Sequence, residues 1–398
     1  MASLYLHNIG EFYSGELAAP RAAVRAMSVI DGRVAELDPA RTEGYDAVLD
    51  AAGAAVVPGL VDGHVHPVLG EWTPTQDAIG WIGNYLHGGT TTMVSAGELH
   101  VPGLDYNALT PELVTSLAVV AAQTTGRTRW SGVKLHAGTC LLVPGMSEAH
   151  FDRLARAGGR FVKFLFYPFD RNPDEARRYL RWARERGMRA KVHTGGVSRS
   201  GASQMCGHAI LDWLQPDIAA HIAGGPIPMP DADLDRVVDE AGYFLEICSS
   251  GNYGAMLRAV TRLRERGKLS QLALGTDTPG GTGIIPRGMW RNILFLTSVC
   301  KLDPAVAIAV ATGNTARAHG LEVGILAPGR PADFMVCGPV EGSAGSSLHD
   351  AVAHGDLPGV SHVVIDGEVV VAGRSRQTPP PRIRPLYFCC DSGGIKAR

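Results

Sequence analysis

From residue 56 to residue 279 the chain repeats one pattern: a short run rich in β-branched and other apolar residues, then a longer stretch whose apolar positions recur at helical spacing. The short runs are VVPGLVDGHVH (56–66), TTTMVSAG (90–97), WSGVKLHAG (130–138), RFVKFLFY (160–167), RAKVHTGG (189–196), DIAAHIAGG (217–225), YFLEICSSG (243–251) and QLALGTDTP (271–279). Strand-like runs alternating with amphipathic stretches predict a parallel sheet joined by crossover helices, and eight of them predict a TIM-like (β/α)8 barrel. The connecting stretch PDEARRYLRWARERG (173–187) shows the helical half of the pattern, with Pro at its start and Gly at its end, where helices favour them.

The two ends have a different texture. Residues 1–55 hold short alternating stretches (SLYLHNI, AVRAMSVIDGRVAEL, DAVLDAAGAAVV), two of them joined by the hairpin dipeptide Asp31-Gly32. The texture returns in PADFMVC (331–337), SHVVI (361–365) and EVVV (368–371), the last two joined by Asp366-Gly367. The prediction is an α/β protein in which residues 1–55 and 322–380 build a small composite β-sandwich, residues 56–321 build the barrel, and residues 381–398, beginning within the Pro-rich QTPPPRIRP, form an extended tail that packs little.

Composition narrows the function classes. With 37 Lys+Arg against 39 Asp+Glu, the formal net charge is -2, so there is no bulk basic field to bind nucleic-acid phosphates. No apolar run reaches the roughly 18 residues of a membrane span, and the start MASLYLHNIGEFYSGE lacks a basic region followed by an apolar core. Seven cysteines without a CxxC pair read as reduced thiols, and the location expected is cytoplasmic.

In a (β/α)8 barrel the reactive side chains stand at the C-terminal ends of the strands. There the sequence places His64 and His66 on strand one, Lys163 within strand four, His193 on strand five, His221 on strand six and Asp277 on strand eight. Residues two apart on a strand share a face, so His64 and His66 can turn toward the same ion. A lone strand-end histidine is most often a hydrogen-bonded rim residue, but four imidazoles and an aspartate at such positions are hard to produce from packing alone. Imidazole and carboxylate donors suit zinc, iron, nickel or manganese, and the near absence of thiolates there points to a catalytic rather than a structural ion. Lys163 reads either as a snorkelling lysine or, by preference, as an inward amine kept neutral by burial, able to take up carbon dioxide as a carbamate whose oxygens bridge two cations. His136, ending strand three, reads as a rim histidine or a substrate contact, and is assigned to the substrate. Arg287, just after strand eight, is either a surface arginine or the bidentate partner of a substrate carboxylate.

VVPGLVDGHVHP, Lys163, KVHTGG, AAHIAGG, GTDTP, ATGNTARAHGL and APGRPADFMV together resemble the amidohydrolase superfamily, over nearly the whole chain. Within it, LHGGTTTMVSAG, VKLHAG, VHTGG, HIAGGP, DTPGGTGIIP and QTPPP are most similar to the enamidase branch, which opens a ring in nicotinate breakdown. The resemblance implies a binuclear centre, with His64, His66 and Asp277 on the more buried ion, His193 and His221 on the more exposed one, and carboxylated Lys163 between them. Zinc is the foremost expectation, with iron or manganese as alternatives. It further implies a homo-oligomer, often a tetramer, and hydrolysis of a cyclic amide such as a 6-oxo-tetrahydropyridine carboxylate by a hydroxide held between the ions, Asp277 carrying the proton. One departure stands out: the enamidase pattern has a glutamate one step later on strand four, where Phe164 stands, so the bridging role comes to Lys163 from the wider superfamily. The bulky LFYPFDRNP (165–173) and the thiol- and thioether-bearing SRSGASQMCGH (198–208) are expected to line a pocket for another lactam. Two rivals remain: a metal-dependent deaminase of an aminoheterocycle, and a non-catalytic binding protein on the same scaffold.

Overall fold

The computed structural model describes residues 3–67, 81–98, 104–197, 203–225, 227–391 and 394–397. Its centre is a ring of eight parallel strands: Leu60–Val65, Thr90–Ser95, Lys134–His136, Phe161–Phe164, Arg189–His193, Ile218–Ala220, Phe244–Cys248 and Leu272–Gly275. A helix follows each strand, among them Pro111–Thr125, Pro173–Glu185 and Tyr253–Glu265. The helix starts follow local chemistry. Thr110 accepts a hydrogen bond from the Leu113 amide at 3.3 Å, and proline fills the first turn at Pro111 and Pro173, where no amide donor is needed.

Ring closure rests on two junctions. The third strand is broken: Lys134–His136 pairs with the second strand, and the two-residue piece Cys140–Leu141 pairs with the fourth. Between the first and eighth strands, the Asp277 amide donates to the His64 carbonyl (2.8 Å) and the His66 amide to the Thr278 carbonyl (2.7 Å). Buried Asp62 strengthens this second junction, accepting from the Thr276 amide (2.9 Å), the Thr276 hydroxyl (2.6 Å) and the His64 amide (3.2 Å).

Both chain ends enter the β-sandwich. One sheet runs in the order Gly394–Ala397, Leu386–Asp391, Ala47–Asp50, Ser3–His7, Met27–Ile30, Arg33–Leu37; the other runs Glu368–Val371, Gly359–Ile365, Phe334–Gly338, Ala55–Pro58, Glu11–Tyr13, Arg21–Ala22. Leu4, Leu6, Met27, Val29 and Leu49 of the first pack in one buried core with Phe12, Val56, Phe334, Val336 and Val364 of the second. The expectation of a loosely packed tail is corrected: Leu386–Asp391 pairs antiparallel with Ala47–Asp50. Unpaired edge groups on Ala47–Asp50 draw a strand from the tail once the proline-rich turn has brought it back.

The first apolar run also divides. Ala55–Pro58 belongs to the sandwich and Leu60–Val65 to the barrel, with Gly59 between them donating its amide to the Asp333 carbonyl at 2.9 Å. A Cβ on Gly59 would lie 2.0 Å from Thr91 Oγ1, so only glycine allows this passage. No helix among the described residues is long and apolar enough to cross a membrane.

Candidate metal centre

The strand pleat turns His64 and His66 to one side, and their donor atoms lie with that of Asp277 within 4.8 Å of one another. His66 Nε2 stands 3.1 Å and His64 Nε2 3.7 Å from Asp277 Oδ1. The other nitrogen of each ring faces an acceptor: His64 Nδ1 meets Glu246 Oε2 at 2.6 Å, and His66 Nδ1 meets the Gly97 carbonyl at 3.3 Å. A carboxylate or carbonyl oxygen only accepts, so both rings carry a proton on Nδ1 and both direct Nε2 at Asp277. A proton or a cation must then sit between those nitrogens and the carboxylate.

His193 and His221 complete the group. Their ring centroids are 4.4 Å apart, and His221 lies 5.2 Å from His64. His193 Nε2 donates to the Gly196 carbonyl at 3.3 Å, whereas His221 Nδ1 is buried without a hydrogen-bond partner among the described residues. His221 and Asp277 both adopt positive φ, +40° and +61°, a conformation costly for residues with a Cβ and one that concentrates at functional sites.

Lys163 is 1% exposed, and its Nζ also lacks a hydrogen-bond partner among the described residues. Burial pulls this ammonium down to about 8; Lys191 pushes the same way, against Glu246 and Asp277. Its neighbour Phe164 turns the other way, into an aromatic cluster with Tyr167 (5.2 Å) and Phe169 (5.3 Å). Of these two adjacent positions it is therefore Lys163 that shares the field of Asp277, Glu246 and the histidines.

Burial, reinforced by the Lys163 charge, holds His64 well below the ordinary imidazole range, and burial brings His221 down to about 4. Burial alone would raise Asp277, but the His66 contact and the surrounding imidazoles outweigh it and keep the carboxyl low. Neutral His64, His193 and His221 beside an ionised carboxylate are in the protonation states in which such groups bind a divalent cation. The donor set, the orphaned Lys163 amine and the unpartnered His221 nitrogen all fit such ions.

Two proposed substrate contacts stand elsewhere. His136 shares its strand face with Lys134, whose ammonium bonds both Asp333 (2.7 Å) and Asp366 (2.6 Å) beside the sandwich. It lines a cavity of about 220 Å³ together with Arg129, Arg160 and Thr125, on the flank of the barrel. The alternation that turns Leu135 one way turns His136 outward, which corrects the expectation that it faces the mouth. Arg287 is exposed at the start of the helix Gly288–Leu294, outside the cluster. The aromatic run 165–173 is also reassigned in part: Tyr167 and Phe169 are buried behind strand four, with the Tyr167 hydroxyl donating to Glu175 at 2.6 Å. Within the run 198–208, residues 198–202 lie outside the described residues, Met205 is exposed and Cys206 buried.

Sequence reasoning missed the charges beneath the cluster. Glu246, Lys191 and His319 are all buried, with Lys191 Nζ and His319 Nε2 at 3.7 and 3.8 Å from Glu246 Oε1. Their signal was present, since a single Glu within the apolar run YFLEICSSG and a Lys two residues before His193 both break the pattern of a plain buried strand. Glu98, after the second strand, is a further buried carboxyl; its Oε1 accepts from the Gly138 and Thr139 amides (2.6 and 3.2 Å).

Strand eight makes room for His64. A Cβ on Gly275 would lie 2.4 Å from His64 Cβ and 2.9 Å from its backbone nitrogen. Gly275→Ala is expected to cost about 1–3 kcal/mol through overpacking and to displace His64. Thermal unfolding and bound metal should fall together; unchanged metal content would mean that strand eight yields without moving the histidine.

Imidazoles and one carboxylate at the C-terminal rim of a barrel are the means by which proteins activate water on divalent ions, which places this molecule among the metal-dependent hydrolases. It belongs to the amidohydrolase family, whose sequence profile matches residues 55–370. The chain is 36% identical to the enamidase of Eubacterium barkeri over 385 residues, covering 96% of this chain and 98% of that protein. The solved structure of an enamidase superposes with a TM-score of 0.89 at 33% identity, over 99% of this chain and 100% of that one. An adenine deaminase of Ruegeria pomeroyi is 24% identical over 335 residues, which span 78% of this chain and 50% of the deaminase.

Proposed function

We propose that the protein hydrolyses the carbon–nitrogen bond of a small cyclic amide, a lactam or enamide such as a 6-oxo-tetrahydropyridine carboxylate. The observation that carries this reading is the convergence of His64, His66, His193, His221, Asp277 and an unpartnered Lys163 in a chain that aligns end to end with an enamidase. His64, His66 and Asp277 would hold one divalent ion and His193 and His221 a second, with Lys163, as its carbamate, a further ligand; zinc suits the donors best. Bound there, the ions would lower the pKa of a water molecule and polarise the amide carbonyl.

The chain's own groups carry the remaining work. Asp277 is ionised and faces the two Nε2 atoms, so it accepts the proton of the attacking water and returns it to the departing ring nitrogen. Neutral His193 and His221 keep a ring nitrogen free of protons for a cation. A lactam then yields an amino acid, and an enamide yields a carboxylate plus an enamine that water can hydrolyse further.

A panel of lactams, hydantoins, dihydropyrimidines and oxo-tetrahydropyridine carboxylates, offered to metal-replete enzyme, tests this assignment. Ring opening with a new carboxylate is the expected outcome. Ammonia released from an intact ring would instead establish the deaminase alternative.

A further inference from the structure

We propose that Glu246 is a positioning residue for the metal ligand His64, fixing its tautomer and aim and making the ion it holds the more tightly bound. The inference rests on the reading of the cluster as a metal centre. Glu246 is fully buried in the strand Phe244–Cys248, and its one hydrogen bond to a described side chain is the 2.6 Å contact with His64 Nδ1. Oε1 makes no hydrogen bond among the described residues. Burying a carboxylate is costly unless it is paired, and the short hydrogen bond of this one goes to a single imidazole.

The surroundings hold the carboxylate in place. Lys191 comes from the neighbouring side of the ring, 3.7 Å from Oε1, and its ammonium also donates to the Gly63 carbonyl, one residue before His64. His319, whose Nδ1 donates to the Thr315 carbonyl at 2.8 Å, closes the floor 3.8 Å away. Lys191 and His193 are two apart on one strand, so a single strand face carries a proposed ligand above and the counter-cation of Glu246 below.

His193 is held differently. Its Nε2 faces the Gly196 backbone carbonyl at 3.3 Å. A charged acceptor behind an imidazole fixes the ring and raises its basicity toward a cation; a carbonyl does so less. His64 is thereby better prepared than His193 to hold a cation.

The test compares wild type with Glu246→Gln and Glu246→Asp. Gln keeps the shape without the charge, and Asp keeps the charge but draws it away from His64. Zinc affinity is measured by competition with a chelating dye, folding by thermal melting, and the His64 tautomer by ring nitrogen shifts in metal-free protein. Both variants should stay folded, weaken the tightest zinc about 10–100-fold, and lose the pure Nδ1–H form of His64. A folded variant with wild-type zinc affinity overturns the inference, and so would collapse of both folds, which would make Glu246 a residue of the scaffold. Wild type that takes up no zinc would refute the metal centre itself, a separate outcome.

Discussion

Asp277→Asn keeps its metal and loses turnover by about 10²–10⁴-fold, the range of a lost general base. Asparagine preserves the shape and one oxygen donor, so the positions taken by His64 and His66 need not change. It cannot accept the proton that Asp277 is placed to take, 3.1 Å from His66 Nε2 and held ionised despite burial. Metal content per chain, measured beside kcat, separates lost chemistry from lost ions. Near wild-type rates at full metal content would locate the base elsewhere, with Glu98 the first buried carboxyl to examine.

Lys163→Ala is expected to lower kcat more than about 100-fold, beyond the usual penalty for disturbing a ligand's support, with partial return when acetate or formate is added. The buried amine has no hydrogen-bond partner to lose among the described residues, so the loss falls on the proposed carbamate. Carbamate formation joins the neutral amine to carbon dioxide and releases a proton, so it is favoured as pH rises. Because burial brings the Lys163 ammonium from 10.5 down to about 8, the reactive amine is a minority at about pH 6.5 and the majority at about pH 9. Metal-stripped enzyme given zinc and bicarbonate should therefore regain activity faster at the higher pH. Undiminished activity in Lys163→Ala would remove the carbamate from the mechanism.

The strand runs were legible because burial on both faces leaves continuous β-branched segments, and the His-x-His pair was legible because a strand repeats every two residues. His136 was misplaced for a reason of the same kind. Ending a strand does not decide which way a side chain turns, and the pairing of Lys134 with Asp333 and Asp366, far away in sequence, decides it. Glu246 and Lys191 were overlooked because each is one charge in an apolar run, and only the closed ring sets them side by side. The tail read as extended because nothing local shows that Ala47–Asp50 has an open edge to offer it.

The single glycine between Pro58 and Leu60 makes one continuous thread of a sandwich strand and the strand that delivers His64 and His66. Heat or denaturant that loosens the outer module will thus tug on the reactive centre through the backbone itself, and the two bodies should fail in a single cooperative event. A fusion partner or truncation that disturbs the C-terminal edge strand, far from any chemistry, should be felt as ions lost from the barrel.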